Sequence, residues 1–103
     1  MALFRVKEIL SGNKVKLEGW NWKDSTGTDV VIAGYNPTQG DNAIAKLNES
    51  LAKNRLTSLI DQKEIELGRV LNLNDDGSIT CLAFYDGVDI AKYFPEYTQA
   101  SHP

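Results

Sequence analysis

The side chains best suited to ligand binding lie along the predicted strand 14–22. Trp20 and Trp22 alternate with polar residues there and share one predicted face with Lys14 and Lys16. Aromatic rings stack on nucleotide bases or anchor protein partners, while lysines attract phosphate groups. The pattern therefore indicates either a binding face or a strand that twists and carries both rings into the core.

Arg69 is a second candidate binding residue, because it lies within an apolar strand pattern at 65–73. Strand parity places Arg69 on the same face as the leucines of that stretch, where it would point towards the core or into a cleft. The alternative is a bulge at Gly68 that returns the side chain to solvent.

Motifs for catalysis or metal binding are absent from the sequence. The stretch 72–77, NLNDDG, begins like a calcium loop, but its twelfth position would be Ala83, which favours a hairpin turn. His102 is the only histidine and Cys81 the only cysteine, so neither a catalytic triad nor a multi-cysteine metal site can be assembled. We predict no catalytic residues, no metal ligands and no cofactor, with Cys81 in the core.

Composition limits the function classes further. The 103 residues suit one domain, with 42% hydrophobic and 24% charged residues. A net charge of −3 gives little attraction to phosphate backbones or anionic membranes. The first ten residues carry Arg5, Lys7 and Glu8 within their apolar stretch, unlike a signal peptide. We therefore predict a cytoplasmic protein with no membrane partner.

The first half of the chain has the pattern of three strands. A strand at 4–10 alternates imperfectly, which predicts a register shift near Lys7 or Glu8. The strand 14–22 follows the turn 11–13, and a short apolar run at 28–33 predicts a strand buried on both faces. Strands two and three are expected to form a hairpin.

A helix is predicted over 43–60, capped by Asp41 or Asn42. One apolar stripe contains Leu56 and Leu59, which we expect to be fully buried. A second stripe contains Ile44, Leu47 and Leu51 and lies more than about 100° away around the helix axis. The helix must therefore either bend near Lys53 or contact two surfaces.

The remaining chain predicts a strand at 65–73 interrupted at Gly68, a strand at 79–85, a short helix at 90–94 and a tail. Three strands, a helix and two strands form the element order of a five-stranded Greek-key barrel of the oligonucleotide/oligosaccharide-binding (OB) class. The predicted fold is mainly β (α+β), with a helix between strands 3 and 4 and a short C-terminal helix. We predict one domain over 1–95 and a flexible tail over 96–103.

In its element order and in several short patterns, the chain resembles a staphylococcal-nuclease-like domain over residues 4–94. The resemblance consists of five patterns in order: Val-x2-Ile-x2-Gly-x2-Val at 6–15, Ile-Ala-Gly-Tyr-Asn-Pro at 32–37, Ala-x3-Leu-x2-Leu-Ile at 52–60, Lys-x-Ile-x-Leu at 63–67 and Asp-Gly-Val-Asp-Ile at 86–90. It implies an OB barrel of the nuclease type.

The resemblance does not extend to the catalytic residues of that family. Its nucleases carry an Asp-Gly-Asp calcium turn, where this chain has Ser-Gly-Asn at 11–13. Their strand arginine is replaced by Val30 or Val31, their Asp-x-Pro-Glu turn by Asn-Pro-Thr at 36–38, and their Tyr-Gly-Arg segment by Asp-Gly-Ser at 76–78. Phosphodiester hydrolysis needs a held cation, a base and positive charge on the oxyanion, so we do not transfer the activity.

The sequence thus predicts a catalytically inactive binding module. A protein partner or self-association is favoured over single-stranded nucleic acid, because the acidic balance opposes nucleic-acid binding. A third alternative is a diverged metal-dependent nuclease using Asp24, Asp29 and Asp41. The candidate partner-binding residues are Asn13, Lys14, Lys16, Trp20, Trp22, Asn36 and Arg69.

Overall fold

The computed structural model describes residues 3–22, 25–26, 29–37 and 42–97. Its strands are β1 (Leu3–Ser11), β2 (Lys14–Leu17), β3 (Asn21–Trp22), β4 (Ser25–Thr26), β5 (Asp29–Ile32), β6 (Glu64–Leu73), β7 (Ile79–Tyr85) and β8 (Val88–Asp89). One α-helix, α1 (Asn42–Ile60), and two 3-10 helices, Ile90–Tyr93 and Pro95–Tyr97, complete the described elements. The fold is therefore mainly β with one long helix.

Six strands form one sheet in the order β5-β2-β1-β6-β7-β8, and successive neighbours are antiparallel. β5 also pairs in parallel with β7, through residues 30–32 and 79–81. The five strands β1, β2, β5, β7 and β6 consequently pair in cyclic order. β3 and β4 form a separate two-stranded ribbon between β2 and β5. The Cα radius of gyration, 13.2 Å, is that of a compact chain of this length.

Most predicted strands are confirmed. β1 carries the expected register shift, between Val6 and Glu8. β5, β6 and β7 occupy the predicted stretches, and the β2–β5 hairpin is confirmed by the pairing of Lys14 with Val31. Alternation and turn residues were therefore sufficient to locate these elements.

The prediction of one continuous strand over 14–22 is wrong. β2 ends at Leu17, and Gly19 has φ +76°, a left-handed conformation that ends the extended chain. The backbone then enters β3, which belongs to the other sheet. The alternation of faces along β2 therefore does not continue to Trp20 and Trp22, so it no longer places them on the same face as Lys16.

The α1 helix packs against the sheet through one stripe. Ala52, Leu56 and Ile60 are fully buried, as expected for that stripe, whereas Leu59 is only partly buried and the prediction of its full burial is wrong. The second stripe is exposed: Ile44 is 52% accessible, Leu47 59% and Leu51 49%. The sequence left open a bend near Lys53 or contact with a second surface; in the structure this stripe is largely exposed to solvent.

The C-terminal part is packed beyond the predicted domain boundary. The predicted helix 90–94 is a 3-10 helix that ends at Tyr93, with the Asp89 carboxylate accepting from the Ala91 N–H at 3.0 Å. Tyr97, assigned from sequence to a flexible tail, is 9% exposed and belongs to the core. Residues 98–103 of that tail lie outside the described residues.

No helix within the described ranges is long and apolar enough to cross a membrane.

Candidate functional site

The turn between β1 and β2 corresponds to the calcium turn in the family resemblance, and it is packed beneath α1. The Gly12 N–H donates to Glu49 Oε1 at 2.5 Å, and the Tyr35 hydroxyl donates to the Gly12 carbonyl at 2.7 Å. A Cβ atom at Gly12 would lie 2.8 Å from Ala52 Cβ and 2.9 Å from Pro37 Cγ. Glycine is therefore required here by close packing rather than by backbone conformation.

Asn13 and Asn36 both lie beside Tyr35, since Asn13 contacts its carbonyl group and Asn36 follows it in the chain. The Asn13 side-chain amide donates to the Tyr35 carbonyl at 3.4 Å, and the Asn36 N–H donates to the Tyr97 carbonyl at 2.8 Å. Both side chains are half-buried. The Asn13 side chain and the Asn36 backbone thus fasten the turn and the chain after β5 to their neighbours.

An aromatic cluster, defined as Tyr35, Phe94 and Tyr97, closes this region from the C-terminal side. The Tyr35 and Phe94 rings stack with centroids 4.3 Å apart and an interplanar angle of 1°, and Tyr97 lies 6.3 Å from Phe94. Burial, and then the nearby charge of Glu49, raise the pKa of the Tyr35 hydroxyl well above its usual value. Tyr35 therefore acts as a neutral hydrogen-bond donor.

Arg55 joins α1 to the aromatic cluster. Its guanidinium lies 5.2 Å from the Phe94 ring centroid and 5.9 Å from that of Tyr97. It makes a bidentate pair with Glu96, at 3.0 and 2.6 Å, and also donates to the Tyr93 carbonyl at 3.1 Å. The hydrogen bonds from Arg55 hold the pKa of the Glu96 carboxyl below its usual value.

The chemistry available at the packed turn is that of neutral amides, a phenol and one carboxylate. Val30, at one of the two positions matched to the family's strand arginine, is fully buried. Glu49 accepts a backbone hydrogen bond, as noted above. Within the described residues, no group of three or more His, Cys, Asp or Glu side chains is arranged to hold a metal ion.

The two candidate lysines differ in their surroundings. Lys14 Nζ lies 2.9 Å from Asp76 Oδ2, and hydrogen bonds from Ser78 and then Lys14 lower the pKa of Asp76. Lys16 stands opposite Asp29 in the β2–β5 ladder. Asp29 Oδ1 is buried and has no hydrogen-bond partner in the part of the chain described. Asp24 and Asp41, the other carboxylates of the nuclease alternative, lie outside the described residues.

The structure describes the side chain of Trp20 but not that of Trp22, so it does not show whether the two rings share a face. Trp20 is half-buried, packs against the core and makes an edge-to-face contact with Phe4 at 6.4 Å. This environment agrees with the alternative that places its ring in the core. The Trp22 backbone pairs with Ser25 in the small ribbon, and its side chain lies outside the description.

Arg69 is exposed, as the bulge alternative predicts. The β6–β7 register shifts between Leu67 and Val70, and a Cβ at Gly68 would meet Phe84 Cε1 at 2.9 Å. Arg69 thus lies beyond the part of β6 that pairs with β1.

A cavity of about 530 Å³ lies at the other end of β6. It is lined by Leu3, Phe84 and three carboxylates, Glu64, Glu66 and Asp86, among others. None of the residues proposed from sequence lines it. Sequence reasoning also missed Glu49, Arg55, Phe94 and Tyr97, whose contacts join positions far apart in the chain. The one available signal was Gly12, because a glycine in a tight turn indicates close approach.

No protein-family model matches this chain, and no curated protein is significantly similar to it.

Proposed function

We propose that the protein is a non-catalytic binding module with a staphylococcal-nuclease-like OB barrel, and that it acts through contacts with protein. The barrel proposal is supported by the cyclic strand pairing. The ring order β1-β2-β5-β7-β6, the parallel β5–β7 pair and the position of α1 between β5 and β6 along the chain agree with a five-stranded Greek-key barrel.

The observation that carries the proposal is the packed turn at Gly12. A calcium-dependent phosphodiesterase needs oxygen ligands that converge on an open position for the cation and its water. Here the Gly12 N–H donates to one oxygen of the Glu49 carboxylate, while Ala52 and Pro37 leave no space at Gly12 for even a methyl group. Fully buried Val30 offers no positive charge to a phosphate. These contacts support a structural role for the region.

Protein is favoured over nucleic acid because of the charges and the exposed apolar side chains. Phosphate binding depends on free lysines and arginines, yet Lys14 is paired with Asp76 and the chain has a net charge of −3. In contrast, Leu47, Leu71 and Leu73 are each more than half exposed. Covering these side chains with another protein would remove apolar surface from water.

A cleavage assay tests the absence of catalysis. Purified protein is incubated with single-stranded DNA or RNA and either calcium or magnesium, and we expect the substrates to remain intact. Cleavage that is lost in Glu49→Gln or Asp29→Asn, but kept in the exposed control Asp86→Asn, would refute the proposal and favour a diverged nuclease.

An oligonucleotide titration followed by tryptophan emission tests the choice of partner. We expect no saturable change below about 100 μM at physiological salt, because few phosphates are neutralised. Sub-micromolar binding would instead favour the nucleic-acid alternative, if it falls steeply with salt and is weakened in Lys16→Ala but not in the helix control Lys46→Ala.

A further inference from the structure

We propose that the open edge of β6, residues 69–73, pairs with the same strand of a second copy to form a two-fold symmetric dimer. This inference rests on the proposed function, because it names the partner of the protein-binding module.

The first observation is that β6 is covered along only part of its length. Its ladder with β1 joins Glu64–Glu66 to residues 3–5 and stops there within the described chain. From Val70 to Leu73, β6 is paired with β7 on one side, and no other described strand pairs with it. The backbone groups on the open side are satisfied best by another extended strand.

The second observation is the apolar character of this edge. Leu71 is 52% exposed and Leu73 is 61% exposed, although both belong to a strand of the main sheet. Pairing with a second strand would remove part of both side chains from water. A single strand edge buries less than the roughly 1,200 Å² of a standard interface. We therefore expect association that depends on concentration.

The third observation is that the segment is complementary to itself. Antiparallel pairing about a two-fold axis at Leu71 sets Leu71 against Leu71 of the second copy, and Arg69 against its Leu73. Asp75 of the second copy lies in the turn after β6, two residues beyond the Leu73 that faces Arg69, where the long Arg69 side chain would reach it. Asp75 is exposed and makes no ion pair with any described residue, whereas Asp76 is bound to Lys14. Symmetry produces the Arg69–Asp75 pair twice.

The irregularity of β6 keeps the paired segment short, and the two-fold symmetry closes the assembly at two copies. Register shifts between Leu67 and Val70 and between Val70 and Asn72 add twist to the strand. A strongly twisted edge supports only a short ladder. A two-fold pair also consumes the open edge of both copies, so neither offers a template for further addition.

Sedimentation velocity measured from about 5 to about 500 μM protein tests the dimer. We expect a reversible shift from monomer to dimer over this range. Leu71→Lys should raise the dissociation constant at least about tenfold through charge repulsion and lost apolar contact. Leu47→Lys, at a similarly exposed leucine on α1, is the matched control and should leave the constant unchanged. Circular dichroism establishes that each variant is folded, and Leu73→Lys replaces Leu71→Lys if the latter is not.

Charge exchange tests the orientation of the two strands. Arg69→Asp should weaken the dimer, and the double variant Arg69→Asp, Asp75→Arg should restore it. A wild type that stays monomeric at the highest concentration would refute the dimer, as would a dimer weakened by Leu47→Lys but not by the β6 variants. If such a monomer leaves nucleic acid intact and unbound, the proposed function stands. A dimer that cleaves nucleic acid refutes the proposed function alone.

Discussion

Replacing Gly12 with alanine tests the packing of the β1–β2 turn against α1. The added methyl carbon would lie 2.8 Å from Ala52 Cβ, 2.9 Å from Pro37 Cγ and 3.0 Å from Glu49 Oε1. Neither Ala52 nor the ring of Pro37 can rotate away, so the turn or the helix must move. Glu49 can rotate, but it would then release the Gly12 N–H.

The expected cost follows from these two effects. Overpacking a closely packed site costs about 1–3 kcal/mol, and leaving a buried donor unsatisfied costs about 1–3 kcal/mol. We therefore expect Gly12→Ala to lower the free energy of unfolding by about 2–6 kcal/mol. This is a large share of the about 5–15 kcal/mol of an ordinary domain.

Urea unfolding followed by circular dichroism measures this loss. The control is Gly77→Ala, because Gly77 has φ +89° and no atom near the added carbon; its cost should be about 1–2 kcal/mol, from backbone strain alone. Removing the opposing methyl in the double variant Gly12→Ala, Ala52→Gly should make the Gly12 change less costly than in the wild type. A Gly12→Ala loss below about 0.5 kcal/mol would refute the packing argument.

Three further predictions concern the core and the C-terminal contacts. Leu56→Ala should cost about 2–5 kcal/mol in urea unfolding, because the side chain is fully buried, whereas the exposed control Ser58→Ala should change stability by less than about 0.5 kcal/mol. Arg55→Gln should cost about 1 kcal/mol or less at neutral pH, since both partners of the Glu96 pair are exposed. Folding lowers the pKa of Glu96, so the ion pair stabilises the folded state above the unfolded pKa of about 4.3. This contribution is lost as the pH falls through the lowered pKa of the folded state. The stabilities of the variant and the wild type should therefore converge in acid. Burial raises the pKa of the Cys81 thiol to about 11, so a thiol reagent at about pH 8 should label the folded protein slowly and the urea-unfolded protein rapidly.

Local patterns predicted the elements because those elements follow local rules. The alternation in β7 and the helical spacing from Ala52 to Ile60 depend on neighbours a few positions away. The break after Leu17 was also encoded locally, in Gly19, but the regular alternation of Trp20 and Trp22 concealed it. Gly68 likewise indicated a bulge next to Arg69, and the register shift and the exposure of Arg69 agree with that alternative.

The arrangement around the packed turn could not be predicted in the same way. Tyr35 stacks on Phe94, which is far away in sequence, and nothing in the composition of 95–97 distinguishes a packed 3-10 helix from a loose tail. The exposed stripe at Leu47 illustrates the same difficulty, because an apolar spacing on a helix states which side chains share a face. It does not state whether the fold supplies a surface to cover them.

The parallel pairing of β5 with β7 also has a consequence for biosynthesis. Val30 can pair with Ile79 only after about fifty further residues have been synthesised. Translation at about 5–20 residues per second makes that interval roughly 2.5–10 s. During this time the nascent chain can form the β1–β2–β5 meander, but the Val-rich edge of β5 has no β7 to cover it. Closing so long a loop also carries an entropic cost before its contacts form. A ribosome stalled before Ile79 would therefore hold a partly folded chain whose unpaired β5 edge can bind chaperones or neighbouring nascent chains.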